Sequence, residues 1–203
     1  MIYIVKHITY PNPVPKGFKE IYVGDIYKGD NPTMNYLNPY LNEVTALYDL
    51  RSFDDEYLGL VHYRRLFKGL TYDRAKEILD DYDVITTTDY EPMTPYFHLA
   101  NALGEEVVTK YVGLLPQKIE DWFYSHQAFN ICNMFVAKNQ FVKDYGDWLF
   151  PIILPMTERF LMEDKTNDFK HNRTIGFITE CLFGYYCKDF KRYKVEIEEW
   201  GYQ

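Results

Sequence analysis

The amino-acid sequence predicts an α/β fold in which helices flank a mostly parallel central sheet. Short apolar runs of strand-forming residues recur along the chain, most clearly at residues 2–5 and 57–61. Longer segments with helical spacing of apolar residues, such as residues 71–81, lie between such runs. Strands that alternate with helices are typical of a parallel sheet. The length of 203 residues suits one domain with a substantial core, so we expect a single domain over residues 1–203.

The remaining elements are predicted from the same patterns. We predict strands at residues 2–5, 19–23, 57–61, 83–88, 131–137 and 191–196. We predict helices at residues 40–50, 71–81, 140–153 and 173–186, and helical segments within 96–128 that break near Gly113 and Pro116. Pro151 is expected to interrupt its helix because proline has no N–H. The proline-rich segment 11–15 and the Asn-Pro pairs at 31–32 and 38–39 are expected to be loops.

Composition and charge limit the class of protein. A formal net charge of -8 and an isoelectric point near 5.1 argue against non-specific nucleic-acid binding, which needs a basic surface, although a localised basic groove is compatible with them. The three cysteines, Cys132, Cys181 and Cys187, lack C-x-x-C spacing, so we expect neither a disulfide framework nor a zinc site. The apolar run at residues 2–5 is too short for the core of a signal sequence, so we expect none there, and no apolar run approaches the ~20 residues of a membrane span. We therefore expect a cytoplasmic protein without a membrane span.

Aromatic residues are unusually frequent in this chain. Tyr 20, Phe 14 and Trp 3 together make up 18% of the residues. Tyrosine-rich surfaces suit sugars, because each ring offers an apolar face and a hydrogen-bonding hydroxyl. Alternatively, most of these rings simply fill sheet and rim positions.

The most informative segment is YLGLVHYRR at residues 57–65. A short buried strand is followed directly by His62, Tyr63, Arg64 and Arg65. In open α/β sheets, ligands bind beyond the carboxyl ends of the strands. Two arginines at that point predict an anion site, since the guanidinium group forms bidentate hydrogen bonds with phosphate and keeps its charge. The alternative is that one arginine pairs with a nearby acid and the other is solvated.

An Asp-x-Asp pair occurs at Asp81 and Asp83. Such pairs often hold a divalent ion against a diphosphate. This pair precedes its strand, however, and so belongs to the edge of the sheet opposite the ligand crevice. We interpret it as structural and expect no metal or other cofactor, because fixed guanidinium groups can neutralise a leaving diphosphate instead.

Three polar residues flank or begin the first predicted helix: Asn38, Glu43 and Thr45. Helix amino termini favour anions through the helix dipole and free N–H groups, and Asn and Glu are natural partners for ribose or base edges. Alternatively, Asn38 caps the helix and Glu43 is a favourable first-turn acid.

Further candidates lie in the second half of the chain. His126 and Asn133 bracket the entry to the 131–137 strand, where His126 is alternatively a core histidine and Asn133 a turn residue. Arg173 and Glu180 are seven residues apart, which places them on one helix face about two turns apart. A carboxylate on a buried face needs a partner, so Glu180 is either ion-paired or catalytic.

Several colinear segments together resemble one known family. They are NPY at 38–40 with EVTALY at 43–48, YLGLVHYRR at 57–65, YDVI at 82–85, NMFV at 133–136 with WLFP at 148–151, and RTIGFITE at 173–180. The family is bacterial and viral, is catalogued as a domain of unknown function, and is linked to capsular and exopolysaccharide synthesis. It is considered glycosyltransferase-like with a GT-A fold.

The resemblance implies transfer of a hexosyl or pentosyl group from a nucleotide-sugar donor to a hydroxyl of a glycan or other acceptor. We expect catalytic residues at His62, Arg64, Arg65 and Glu180, donor-binding residues at His7, Asn38, Glu43, Thr45 and Tyr63, and acceptor-side or supporting residues at His126, Asn133 and Arg173. Arg64 and Arg65 are expected to neutralise the diphosphate, which His62 orients. Glu180 is expected to activate the acceptor hydroxyl.

Two alternatives belong to other functional classes. Relatives often carry His-x-His where this chain has Asn101 and Leu103, a difference that fits a non-catalytic glycan- or nucleotide-binding module. A second alternative is a viral glycosyltransferase that acts on modified DNA bases, against which the acidic net charge argues.

Overall fold

The computed structural model describes residues 1–9 and 13–199. Its strands are β1 (Ile2–Lys6), β2 (Phe18–Tyr22), β3 (Tyr57–His62), β4 (Arg65–Phe67), β5 (Val84–Thr87), β6 (Phe135–Lys138), β7 (Arg192–Val195) and β8 (Ile197–Glu199). Its α-helices are α1 (Pro32–Tyr36), α2 (Asn38–Leu41), α3 (Val44–Leu50), α4 (Tyr72–Asp81), α5 (Pro95–Leu103), α6 (Glu105–Val112), α7 (Gln117–Tyr124), α8 (Asn139–Glu163), α9 (Phe169–Asn172) and α10 (Thr174–Cys187).

Within the described chain, the strands form one eight-stranded sheet in the order β2-β1-β3-β6-β5-β7, with β4 beside β3 and β8 beside β4. β1 runs parallel to β2 and β3, and β5 runs parallel to β7. β6 runs antiparallel to both of its neighbours, β3 and β5. The central sheet is therefore mostly parallel, and the predicted α/β fold is confirmed.

Alternate side chains of the strands enter two separate cores. Leu58 and Leu60 of β3 belong to the larger core, to which α2, α3, α8 and α10 contribute. Tyr57 and Val61 of the same strand belong to the smaller core, to which α4 contributes. A fully buried Leu or Val side chain stabilises the fold by roughly 1.5–3 kcal/mol. Burial on both faces explains why β3 is a nearly continuous apolar run.

The helix predicted over residues 40–50 is divided in two. Asn42 has φ 55 and separates α2 from α3, because a residue with positive φ cannot continue a right-handed helix. The Asn-Pro pairs are also not loops, since Pro32 and Pro39 lie within the first two positions of α1 and α2. At these positions the missing N–H would have had no intrahelical partner.

The interruption predicted at Pro151 is wrong. Helix α8 continues through Pro151 and Pro155 for 25 residues. Both prolines are exposed, while Ile153 and Met156 are buried in the larger core. The two prolines are four residues apart and thus lie on one solvent-facing stripe, where water can satisfy the carbonyl groups they leave unpaired. Packing of the opposite face keeps the helix intact.

The strand predicted over residues 131–137 is shorter than expected. β6 begins at Phe135, and the residues before it are held by side-chain hydrogen bonds. Nδ2 of Asn130 donates to the carbonyl oxygen of Thr87 at 3.1 Å. Strands β4 and β8, absent from the prediction, extend the sheet beside β3.

Most other predicted elements are confirmed within a few residues, including the helices that break near Gly113 and Pro116. An additional break occurs at Gly104, between α5 and α6. Residues 13–15 have no regular structure, whereas the rest of the predicted proline-rich loop, residues 11–12, lies outside the described residues. No helix in the described part of the chain has the length and apolarity to cross a bilayer.

Candidate active site

The candidate residues gather at the edge of the sheet where the parallel strands end. Val5, near the end of β1, pairs with His62, the last residue of β3. β6 runs in the opposite direction, so its start lies at this same edge. Ligands of open α/β sheets bind beyond the carboxyl ends of the strands. The residues that follow β1 and β3 and those that precede β6 therefore share the expected ligand-binding edge.

His62 and Arg65 face each other across a tight hairpin. They are paired between β3 and β4, and Tyr63 and Arg64 form the two-residue turn. Directly opposite residues of an antiparallel pair project to the same face of the sheet. The hairpin therefore places an imidazole and a guanidinium side by side, and it leaves Arg64 exposed at the turn.

Glu43, immediately before α3, forms an ion-pair contact with His62. Its Oε1 lies 3.2 Å from Nε2 of His62, and neither buried atom has a hydrogen-bond partner elsewhere among the described residues. Burial alone raises a carboxyl pKa, but His62, a backbone N–H and Arg173 together outweigh burial, so the pKa of Glu43 is lowered. Glu43 is therefore held as a carboxylate.

Glu180, on α10, is the second buried carboxyl group of the site. Burial raises the pKa of Glu180 well above its ordinary value, and the negative charge of Glu43 raises it further. The positive charges of Arg173 and Arg65 oppose this rise without cancelling it. The sequence left open whether Glu180 is ion-paired or catalytic, and Glu180 forms no ion pair with any described residue. Two buried carboxyl groups whose pKa values move apart are typical of acid–base sites.

Arg65 is oriented by a thiol. Its Nη1 donates to Sγ of Cys132 at 3.3 Å. Cys132 is buried, and burial together with the charge of Glu180 raises the pKa of Cys132 to about 12 despite the nearby arginine. The sulfur is therefore a neutral thiol at neutral pH, and it leaves the positive charge of Arg65 uncompensated.

Arg173 is oriented by a carboxamide. Its Nε donates to Oδ1 of Asn42 at 2.6 Å. Among the described residues, Asn42 is the one non-glycine residue with positive φ, a conformation that asparagine tolerates better than most side chains. A Cβ at Gly176 would lie 2.3 Å from Nδ2 of Asn42, so only glycine lets α10 approach the α2–α3 junction this closely.

Asn38 and Thr45 stabilise this junction. Nδ2 of Asn38 donates to the backbone oxygen of Asn42 at 2.9 Å and to Oγ1 of Thr45 at 3.1 Å. Oγ1 of Thr45 donates to the same backbone oxygen at 2.8 Å. Asn38 is the first residue of α2, and the N-cap position before it is occupied by Leu37, so Asn38 is not the cap of this helix. Both side chains thus fix the position of the residues next to them.

His7, Tyr63 and Arg64 form the exposed side of the site. The ring centroids of His7 and Tyr63 are 4.7 Å apart, in an edge-on contact. The guanidinium carbon of Arg64 lies 5.1 Å from the centroid of the Tyr63 ring. Partial desolvation and the positive charges of Arg173 and Arg64 lower the pKa of His7. His7 is therefore predominantly neutral at neutral pH.

Asn133 and His126 differ in their relation to the site. Nδ2 of Asn133 donates to Oγ1 of Thr179 at 3.2 Å, and its Oδ1 accepts from the hydroxyl of Tyr145 at 3.3 Å. These bonds connect the start of β6 with α8 and α10. His126 is exposed between α7 and β6, and within the described chain it makes no hydrogen bond or ion pair with the other candidates.

The arginines of the chain fall into two groups. Four of the seven form ion pairs with carboxylates: Arg51, Arg74, Arg159 and Arg192. The other three are Arg64, Arg65 and Arg173, and none of them has a carboxylate partner among the described residues. All three belong to the candidate site. Guanidinium groups without a direct salt bridge to a described carboxylate are therefore concentrated at this edge.

The Asp-x-Asp pair lies elsewhere, as the sequence predicted. Asp83 directly precedes β5, and its Oδ2 accepts from the backbone N–H of Lys191 at 2.8 Å. Asp81 is exposed at the end of α4. Within residues 1–9 and 13–199, no group of three or more His, Cys, Asp or Glu side chains is arranged to hold a metal ion.

Comparison with known proteins identifies the family. The profile of a domain of unknown function, DUF4422, matches residues 1–192. The chain belongs to the DUF4422 family. Among curated protein sequences, no relative matches it.

A solved structure of another protein shares the fold. The apo structure of the bifunctional glycosyltransferase WbbM superimposes with a TM-score of 0.69 at 18% sequence identity. The match covers 98% of this chain and 45% of the WbbM chain, so this protein corresponds to less than half of WbbM. At this identity the likeness establishes a common fold.

Two residues of the site were not predicted from the sequence. Asn42 carried one usable signal, because asparagine inside an apolar helical pattern is a common left-handed helix end. Cys132 carried none, since it is 67 positions from Arg65 and only the position of β6 brings the two together.

Proposed function

We propose that this protein is a GT-A-type glycosyltransferase that moves a sugar from a nucleotide-sugar donor to a hydroxyl acceptor in glycan or polysaccharide synthesis. The observation that carries the proposal is the set of three arginines without carboxylate partners at the ligand-binding edge, in the part of the chain that is described: Arg64, Arg65 and Arg173. A diphosphate offers the charge and the oxygen pairs that such a set binds. The fold shared with WbbM supports the reaction class.

Arg64 and Arg65 are proposed to bind the diphosphate, and His62 to orient it. When the bond between the sugar and the diphosphate breaks, negative charge grows on the leaving oxygen. Guanidinium groups that are already in place stabilise this charge without further reorganisation. The same positive charge is why we propose that transfer requires no divalent ion.

Glu180 is proposed as the base. In an inverting transfer, the acceptor oxygen forms a bond with the anomeric carbon while the bond from that carbon to the diphosphate oxygen breaks. The acceptor proton passes to the Glu180 carboxylate, and the diphosphate leaves with the electron pair. Because its pKa is raised, Glu180 in its ionised form is a stronger base than an ordinary carboxylate.

The remaining candidates are proposed to hold substrates or support the site. His7, Tyr63 and Glu43 are proposed to contact the donor, while Asn38 and Thr45 act by fixing the α2–α3 junction. We propose that the exposed His126 contacts the acceptor, while Arg173 supports the diphosphate site with a guanidinium that has no carboxylate partner among the described residues. Asn133 supports the start of β6 through its hydrogen bonds.

Calorimetric titration with inorganic pyrophosphate, UDP and GDP tests the proposal. We expect binding to the unaltered protein and a loss of about 10- to 100-fold in affinity in Arg65→Ala, since a hydrogen bond to a charged group contributes ~1.5–3 kcal/mol. Arg74→Ala is the matched control, because Arg74 is exposed on α4 and paired with Glu77. Equal affinity in the three proteins would refute the anion site.

Turnover separates the enzyme from a non-catalytic binding module. We expect the unaltered protein to release sugar from at least one nucleotide sugar, to water or to an added acceptor. A protein that binds the donor and leaves it intact under all these conditions is a binding module.

A further inference from the structure

Every arginine of the candidate site is held by an uncharged partner. The contacts are Arg173 Nε with Asn42 Oδ1 at 2.6 Å, Arg65 Nη1 with Cys132 Sγ at 3.3 Å, and the Arg64 guanidinium carbon with the Tyr63 ring centroid at 5.1 Å. The four arginines outside the site are held by carboxylates instead. Arginines inside the candidate site thus have uncharged partners, and arginines outside it have carboxylate partners.

The two kinds of partner have different electrostatic consequences. A carboxylate orients a guanidinium and at the same time cancels its charge. A carboxamide, a thiol or an aromatic ring orients it and leaves the charge available to an incoming anion. Orientation in advance also reduces the side-chain entropy that is lost when the anion binds.

We propose that Asn42, Cys132 and Tyr63 are positioning residues that orient the three guanidinium groups for an anionic substrate without neutralising them. The inference rests on the proposed function and names how its anion site is built. Asn42 is the strongest case, because its backbone adopts φ 55 and Gly176 presses against its carboxamide. The backbone and the neighbouring helix together fix the direction of Oδ1.

Two substitutions at position 42 separate this role from a purely structural one. Asn42→Asp keeps an oxygen acceptor for Arg173 but adds a negative charge next to it. Asn42→Gly tolerates φ 55 and removes the hydrogen-bond acceptor, so Arg173 keeps its full charge and only its contacts with the rings of Phe169 and Phe177. If Asn42 serves to leave the charge of Arg173 available, the Asn42→Gly variant must bind an anion more tightly than the Asn42→Asp variant does. A structural role requires the opposite order, since only Asp still holds the arginine.

Titration with inorganic pyrophosphate measures this order. We expect affinity to fall several-fold in Asn42→Gly and about 10- to 100-fold in Asn42→Asp relative to the unaltered protein. Gln140→Glu is the control for one added negative charge, because Gln140 is exposed near the start of α8, at the opposite edge of the sheet. Its affinity should equal that of the unaltered protein.

The outcomes are distinguishable from failure of the proposed function. If the unaltered protein binds neither pyrophosphate nor a nucleoside diphosphate, the proposed anion site is wrong. If it binds and Asn42→Asp retains an affinity equal to or above that of Asn42→Gly, the positioning role is overturned and the anion site stands. Should Asn42→Asp not fold, a comparison of Cys132→Ser with Cys132→Asp gives the same test. The Cys132→Ser variant, whose side chain is neutral, is expected to bind pyrophosphate, and the Cys132→Asp variant is expected to lose affinity. Equal affinities of these two variants overturn the inference.

Discussion

The negative charge of Glu43 raises the pKa of Glu180, while the pKa of Glu43 itself is lowered. The asymmetry arises from their neighbours. Glu43 has the imidazole of His62 at 3.2 Å, whereas Glu180 has no ion pair within the described residues. Negative charge is therefore favoured on Glu43, and Glu180 gives up its proton less readily than an ordinary carboxyl group.

Glu43→Gln is expected to change the pH dependence of turnover. Removal of the Glu43 charge lowers the pKa of Glu180, so the acidic limb of the pH–rate profile should move to lower pH. The maximal rate should also fall, because His62 loses its partner. Steady-state rates over a range of pH, with Glu163→Gln as an exposed control, measure the shift. An unmoved limb would show that Glu180 does not control it.

Glu180→Gln is expected to stabilise the fold as pH rises. Because the pKa of Glu180 is raised in the folded state, the folded chain retains a proton that the unfolded chain loses above the ordinary carboxyl pKa. Between the two pKa values, this difference destabilises the unaltered protein by about 1.4 kcal/mol per pH unit. Glutamine does not titrate, so the variant escapes the loss.

Denaturant unfolding at a series of pH values measures this effect. The stability gap between Glu180→Gln and the unaltered protein should widen as pH rises through this interval. The exposed Glu77→Gln serves as control. A difference in stability that is constant with pH contradicts the raised pKa of Glu180. If Glu180 is the base, Glu180→Gln should also show no turnover.

Asn42→Ala is expected to be less stable than Asn42→Gly by about 1–2 kcal/mol. Both variants lose the hydrogen bond to Arg173, but only alanine carries a Cβ into the positive-φ conformation. Thermal or denaturant unfolding of the two variants gives the difference directly. Equal stabilities would mean that the junction relaxes to another conformation.

Pyrophosphate binding and turnover are expected to be unchanged in EDTA. The reason is that the positive charge of Arg64, Arg65 and Arg173 is available without a metal ion. Titration and rate assays before and after chelation measure this. Loss of activity in EDTA that manganese restores would contradict the metal-free reaction.

The sequence was most informative where the chain is buried on both faces. β3 was identified because its apolar residues enter two cores, and its polar end at His62 lies, as predicted, at the edge where the parallel strands β1 and β3 end. The position of Asp83 at the opposite edge also followed from its place before a strand.

The sequence was misleading where tertiary packing overrides local preference. Pro151 predicted a helix break, but its exposed position on α8 made the missing N–H harmless. Asn42 divides a helix that periodicity alone predicts as continuous, because contacts with Arg173 and Gly176 stabilise its unusual backbone. Both contacts join residues more than 130 positions apart, so local sequence patterns do not predict them.

The three thiols, Cys132, Cys181 and Cys187, are all buried. A colourless aromatic disulfide reagent can therefore react with them only when the surrounding structure opens, and its chromophore then records the opening rate. Modification of Cys132 measures opening of the structure next to Arg65, and modification of Cys181 and Cys187 measures opening around α10. Ligand occupancy thus becomes measurable from modification kinetics alone, before any acceptor is known.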